Sequence, residues 1–144
     1  PAAAEAIAVD PQGSGTIYLG SSSGGVRKSV DQGRTWVAVN SGLTTLTVNA
    51  LAMDASGPQK VYAATIGGGL FKTSDGGATW QKLRRGLPQD CAYDVIYRHA
   101  LANHDGSLAF GSTTGNLYVS EDGGEGFQTV ANNLPPIYAV RFAS

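Results

Sequence analysis

An eight-residue pattern, Ser/Thr-x-Asp-x-Gly-x-Thr-Trp, is written three times in this chain of 144 residues. It reads SVDQGRTW at 29–36, TSDGGATW at 73–80 and, in worn form, SEDGGEGF at 120–127. Asp31 and Asp75 are 44 residues apart, Asp75 and Asp122 47. Self-similarity at such a period signals a repeat architecture. Anchored on those Asp residues, Ile17-Tyr18 aligns with Val61-Tyr62 and Leu108-Ala109, and Gly24 with Gly68 and Gly115. Val26, Leu70 and Leu117 align, as do GL at 42–43, GL at 86–87 and NL at 133–134. The unit openings AIAVD (6–10), ALAMD (50–54) and DVIYR (94–98) correspond, and AVRFA (139–143) opens a fourth unit.

Each unit divides into four short β-branched, aromatic or alternating stretches between turn clusters. In the second unit strands are expected at about 50–53, 60–65, 70–73 and 79–83, separated by DASGPQ, GGG and SDGGA. No stretch keeps a helical period, and the 20 glycines are too frequent for long helices. Four strands per repeat of roughly 45 residues is the pattern of a propeller blade. The expected fold is all-β, one domain over 1–144: a β-propeller segment of three four-stranded antiparallel blades, about 5–48, 49–92 and 93–137, plus one extra inner strand beginning a fourth blade at 138–144. NALAMD alternates strictly, so Leu51 and Met53 point one way and Ala50 and Ala52 the other. Small residues on one side suit an inner strand crowded at a propeller centre.

Each residue of the octet has a structural use. A turn between antiparallel strands leaves N–H groups without ladder partners, and an Asp side chain can accept them. This assigns Asp31, Asp75 and Asp122 to the turn, with Ser29, Thr73 and Ser120 two residues before them. Gly33, Gly77 and Gly124 supply positive φ at little cost. Thr35 and Thr79 brace the turn, and Trp36, Trp80 and Phe127 begin the next strand and wedge between blades. The rival reading, three catalytic aspartates, needs a nucleophile or base beside each, which the repeats do not supply.

Charged residues make up 15% and apolar ones 42%, with a net charge of -1. That balance offers no electrostatic footprint for nucleic acid or an anionic membrane. No apolar run reaches the ~18 residues of a membrane span. The start, PAAAEAIAVD, lacks an initiator Met, a basic region and a signal-like apolar stretch, which reads as a piece of a longer polypeptide or a processed product. One cysteine, Cys91, excludes an internal disulfide framework and leaves the compartment open. No Walker loop, dinucleotide fingerprint or EF-hand pattern is present, so no cofactor or metal is expected.

The octets resemble the Asp-box, or bacterial neuraminidase repeat, and the resemblance covers about residues 5–143. Two boxes are near-perfect; the third has Gly126 where Thr is expected and Phe127 for Trp, which implies a looser turn. The family includes sialidases, xyloglucanases, sortilin-type receptors and photosystem II assembly factors. The third unit is similar to bacterial proteins described as sialidase-like or glycosyl hydrolase-like. Sialidases use three arginines, a Tyr–Glu pair and an acid Asp, with an early Phe/Tyr-Arg-Ile-Pro signature. That signature is absent, YRHA at 97–100 shares only its Tyr-Arg, and no catalytic residue carries over. The only glutamates are Glu5, Glu121 and Glu125, poor material for a paired-carboxylate site.

Other constellations are thin. GSSSG at 20–24 matches G-x-S-x-G around Ser22, but a strand follows where a nucleophile elbow needs a helix. His99, His104 and Asp105 are too few for a metal and read as a polar hairpin tip carrying the third unit's three extra residues. Arg84-Arg85 could clamp a carboxylate or phosphate and otherwise form a solvated interblade loop.

Alternating strand direction puts the octet turns and first hairpins on one face, the second hairpins and interblade loops on the other. In sialidase-like relatives the boxes face away from the substrate. The resemblance thus implies a ligand face from Arg84, Arg85, Asp90, Tyr93, Asn132 and Tyr138, a mix that suits sugar or peptide. Asp94, Arg98 and Arg141 fall on expected inner strands as channel charges. Closed propellers need about four to eight blades. Three leave two apolar flanks, to be covered by further blades of a longer chain or by a second copy in a six-bladed ring. The leading functional reading is a non-catalytic binding or assembly scaffold. The alternative is part of a sialidase-like or xyloglucanase-like glycoside hydrolase.

Overall fold

The structure, a computed structural model, describes residues 3–87, 96 and 100–143. Its strands form three four-stranded antiparallel sheets, each ordered as in the sequence. The first holds β1 (Ala4–Val9), β2 (Ile17–Ser21), β3 (Val26–Ser29) and β4 (Val37–Ala38). The second holds β5 (Val48–Met53), β6 (Val61–Thr65), β7 (Gly69–Thr73) and β8 (Gln81–Lys82). The third holds β9 (Leu101–His104), β10 (Ser107–Gly111), β11 (Leu117–Ser120) and β12 (Gln128–Ala131). These are three blades of a β-propeller. In the place expected for an extra inner strand, Ala139 makes a single bridge.

The first two sheets repeat each other in register. Val9 faces Ile17 as Met53 faces Val61, and both inner strands shift register at the same point, between Ala4 and Ala6 and between Val48 and Ala50. The third sheet departs from the expectation. Among the described residues its inner strand is Leu101–His104, and of the expected opening 94–98 all but Ile96 lie outside the described residues. Leu101 pairs with Phe110 as Leu51 pairs with Ala63, so Ala100-Leu101-Ala102-Asn103 stands where Ala50-Leu51-Ala52-Met53 stands in the second sheet. The seven-residue connection 54–60 shrinks here to a two-residue turn, Asp105-Gly106, with φ of 47° and 81°. Asp-Gly with both residues left-handed is the turn that matches strand twist. The third unit's surplus therefore lies before the inner strand, not at a hairpin tip.

Two apolar clusters lie between the sheets. Tyr18, Val26, Leu51, Val61, Phe71 and Trp80 fill the space between the first and second, with Met53 packed against them. Ala50, Ala52, Tyr62, Leu108, Phe110 and Phe127 fill the space between the second and third. The alternation of NALAMD thus faces two neighbours, with the larger residues toward the first sheet and the small ones toward the third. The rings of Trp80 and Phe127 wedge between sheets as expected, Trp36 has no sheet before it to wedge against, and none of the three begins a strand. Trp80 N donates to Ser41 O and Phe127 N to Arg85 O, both in the preceding linker.

That crossing explains the repeated GL. A Cβ on Gly42 would lie 2.1 Å from Trp80 O, and one on Gly86 2.0 Å from Phe127 O. Both have positive φ, 99° and 80°. In the third unit Asn133 takes the place at φ 59°, and Asn is the side chain that best tolerates the left-handed region.

Candidate functional site

The three octets build three nearly identical turns. Asp31 Oδ1 accepts Thr35 N at 2.9 Å and Ser29 Oγ at 2.8 Å, and its Oδ2 accepts Thr35 Oγ1 at 2.5 Å. Asp75 repeats this with Thr79 N at 2.9 Å, Thr73 Oγ1 at 2.7 Å and Thr79 Oγ1 at 2.6 Å. Asp122 accepts Gly126 N at 2.9 Å and Ser120 Oγ at 2.7 Å, and Gly126 offers no hydroxyl. The hydroxyls of Ser29, Thr73 and Ser120 also accept from Gly33 N, Gly77 N and Gly124 N. Donors aimed at a carboxylate favour its charged form. The Thr35 hydroxyl and amide, with Ser29, hold Asp31 at about 2. Thr79 and Thr73 do the same for Asp75. Ser120 and then the Gly126 amide lower Asp122. Each carboxylate sits in a different sheet and is occupied by its own turn.

The octet turns hydrogen-bond to the first hairpins: Gln32 N to Gly15 O, Gly76 N to Gln59 O and Gly123 N to Gly106 O. The second hairpins bond to the interblade linkers, as in Gly25 N to Leu46 O and Leu134 N to Gly115 O.

A clamp between sheets was not anticipated from the sequence. Tyr62 Oη and Lys72 Nζ both donate to Gly123 O in the third octet, at 3.0 and 2.7 Å. One sheet earlier, Lys28 Nζ donates to Gly76 O at 2.8 Å and Tyr18 Oη to Pro58 O at 2.7 Å. Each ammonium also lies over its tyrosine ring, 5.6 and 5.7 Å from the centroid. The signal was present as Tyr and Lys ten residues apart in two units, replaced by Ala109 and Val119 in the third.

The residues expected to face a ligand are described in part. Arg84, Arg85, Asn132 and Tyr138 are exposed. Asp90 and Tyr93 lie outside the described residues, as do Cys91 and His99. Of the expected channel charges, Asp94 and Arg98 also lie outside the described residues, and Arg141 is exposed. Arg85 does not stand clear of the octets. Its stem lies beside Gly126, in a groove of about 620 Å³ that also takes in Glu121, Asp122 and Gln128. A second groove, about 340 Å³, runs between Lys28, Val30 and Val37 of the first sheet and Asp75, Gly76 and Ala78 of the second. His104 pairs with Asp105 at 3.3 Å on the exposed hairpin. Among the described residues no three His, Cys, Asp or Glu side chains are grouped to hold a metal ion.

Residues 24–141 match the sequence model of the Sortilin-Vps10 family, described as "Sortilin, neurotensin receptor 3". No curated protein matches the chain. Among solved structures, YCF48 bound to a D1 peptide is similar with a TM-score of 0.73 at 15% identity, over 94% of this chain and 43% of that one. An ancestral GH74 enzyme gives 0.75 at 19% identity, over 94% of this chain and 19% of that one. The GH74 enzyme of Niastella koreensis gives 0.67 at 23% identity, over 89% and 22%. At these identities the likeness is one of fold, and the chain spans less than half the length of each.

Proposed function

The chain belongs to the Sortilin-Vps10 family, and from that premise we propose that it is a non-catalytic β-propeller segment of Asp-box type, serving as a binding or assembly scaffold completed by other blades. The observation that carries this reading is the commitment of Asp31, Asp75 and Asp122 to hydroxyls and amides of their own turns. A glycosidase needs two carboxylates facing each other across the scissile bond, roughly 5–9.5 Å apart. The octets spend their carboxylates on bends instead.

The ligand face we propose comprises Arg84, Arg85, Asn132 and Tyr138, joined by Asp90 and Tyr93. Exposure supports the first four, and the peptide held by YCF48 supports a peptide as one ligand class beside carbohydrate. The alternative, a segment of a xyloglucanase-like or sialidase-like hydrolase, is supported by the fold likeness to GH74 enzymes. Assay of the chain against aryl sialosides, aryl glucosides and xyloglucan oligosaccharides separates the two. The scaffold gives no turnover above buffer; saturable turnover removed by a single carboxylate substitution makes it a hydrolase.

A further inference from the structure

Resting on the scaffold reading, we propose that the free flank of the first sheet docks the free flank of the third sheet of a second copy, head to tail, with Arg34 of one chain against Glu121 of the other. The two interfaces inside the chain supply the rule. The receiving side of a sheet presents Leu51, Val61, Phe71 and Trp80 in the second and Leu101, Leu108, Tyr118 and Phe127 in the third, all buried. The matching positions of the first sheet are Ile7, Ile17, Arg27 and Trp36. There Ile7 is 61% exposed and neighbouring Val9 57%. The offering side carries the Tyr–Lys clamp and a large aliphatic residue, Val39 or Leu83, that covers the next octet's glycine. On the third sheet that side meets no further sheet among the described residues: Val130, at the Val39 position, is 59% exposed, and only the tail lies against the inner part.

The two free flanks depart from the rule in matching ways. The receiving flank gains cations, Arg27 where Phe71 and Tyr118 stand and Arg34 where Ala78 and Glu125 stand. The offering flank loses one, Val119 replacing Lys28 and Lys72, and gains a carboxylate, Glu121 replacing Val30 and Ser74. Val30 borders Ala78 in the groove between the first and second sheets, so Glu121 would border Arg34. Shape follows charge. On Gly77 and Gly124 a Cβ would meet the ring of Tyr18 or Tyr62 from the sheet before, at 3.5 and 3.4 Å. On Gly33 the Trp36 ring itself occupies that place, 3.6 Å away, its indole turned to Gly33 O. The offering flank has Ala109 where the tyrosine would collide. A flank bearing Tyr and Lys would clash with Trp36 and repel Arg27 and Arg34; the third sheet's flank does neither.

The tail stands where the incoming inner strand must lie, Ile137 crowding Gly111 as Val48 crowds Gly20. It holds that place with one bridge at Ala139, the Ile137 N to Ser112 O hydrogen bond at 3.1 Å and the packing of Ile137 and Val140 on the cluster between the second and third sheets. Docking requires the incoming β1 to take this place from the tail, trading the tail's contacts for those of Ile7 and Val9, and the His104–Phe142 ring contact at 6.0 Å opens. Two such contacts related by a two-fold axis close a ring.

Sedimentation equilibrium of the full chain tests this, at low and high salt. The expected result is a two-chain mass at micromolar concentration, weakened by salt. Setting like charges against each other should weaken association about tenfold or more, so Glu121→Arg and Arg34→Glu singly shift the midpoint and the double exchange restores it. Both side chains are exposed, and circular dichroism confirms that the variants fold. A single-chain mass at every concentration, or single variants that associate as the parent does, overturns the proposal. Glycoside turnover by an intact dimer would sink the scaffold reading alone; a silent monomer would sink the docking alone.

Discussion

The indole nitrogen of Trp80 donates to the backbone carbonyl of Val39 at 2.7 Å, so the second octet's ring is fastened to the first sheet. Trp36, in the same place one unit earlier, donates to Gly33 O of its own turn at 3.0 Å. One sequence position thus has two energetic roles, set by whether a sheet precedes it. Trp80 is 3% exposed, and truncating a buried Trp costs about 3–5 kcal/mol. Trp80→Ala should lower the urea midpoint accordingly, while Trp36→Ala in the single chain should cost less than half as much. Equal losses would mean that Trp36 is already packed against a partner.

The third octet lacks the hydroxyl that the other two place on Oδ2 of Asp. Gly126 is outside the left-handed region, and a Cβ there would meet Asp122 Oδ2 at 3.6 Å and the Arg85 stem at 3.7 Å, ordinary contact distances. Gly126→Thr therefore has room. Restricting the unfolded chain at a glycine whose native backbone suits other residues gains about 0.4–1 kcal/mol. The new hydroxyl can donate to Asp122 as Thr79 does to Asp75. A raised thermal midpoint checks this; a lowered one would mean that Arg85 cannot yield.

The blade count and the octet turns were legible because both are local. A hydroxyl, a carboxylate and a glycine within five residues can be read as a turn without knowing what surrounds them. The third inner strand was not legible by counting from the octet, because the distance from turn to inner strand depends on a connection that varies. DVIYR looked suitable at the usual offset, yet Ala100-Leu101-Ala102 copied Ala50-Leu51-Ala52 letter for letter and led into Asp105-Gly106, a strong hairpin signal. Propensity puts Trp80 in a strand, but its amide bonds across to Ser41, a tertiary choice that no window of sequence contains. The clamp on Gly123 was missed for the same reason: Tyr62 and Lys72 look like ordinary strand residues until the next sheet arrives.

That clamp gives a prediction at high pH. Burial first, then the charges of Asp54 and Glu125, pushes the Tyr62 phenol up to about 12; burial and then Asp75 do the same for Tyr18. An unfolded phenol ionises near 10, so the folded chain releases these protons later than the unfolded one. The stability they contribute is present below pH 10 and is lost as pH rises from 10 toward 12. Of the six tyrosines, at least these two should titrate late by ultraviolet difference absorption, and Tyr62→Phe should remove one. Losing its hydrogen bond should cost about 0.5–1.5 kcal/mol, read by urea unfolding at neutral pH.

At the acid end the octets act in the opposite direction. Asp31 and Asp75 titrate at about 2, against 3.8 without their turn partners. Between those values the unfolded chain binds protons that the folded chain does not, so stability rises with pH there. The contribution is complete above about pH 4 and disappears as pH falls through the folded value. Unfolding free energy measured in urea should be flat from pH 6 to 5 and should fall between pH 4 and 2. Asp75→Asn cannot take up the proton, so it should be less stable at pH 6 and show a shallower acid slope, converging on the parent near pH 2. Parallel curves for parent and variant would mean that the acid transition belongs to other carboxylates and that these turns are not what tie the bends.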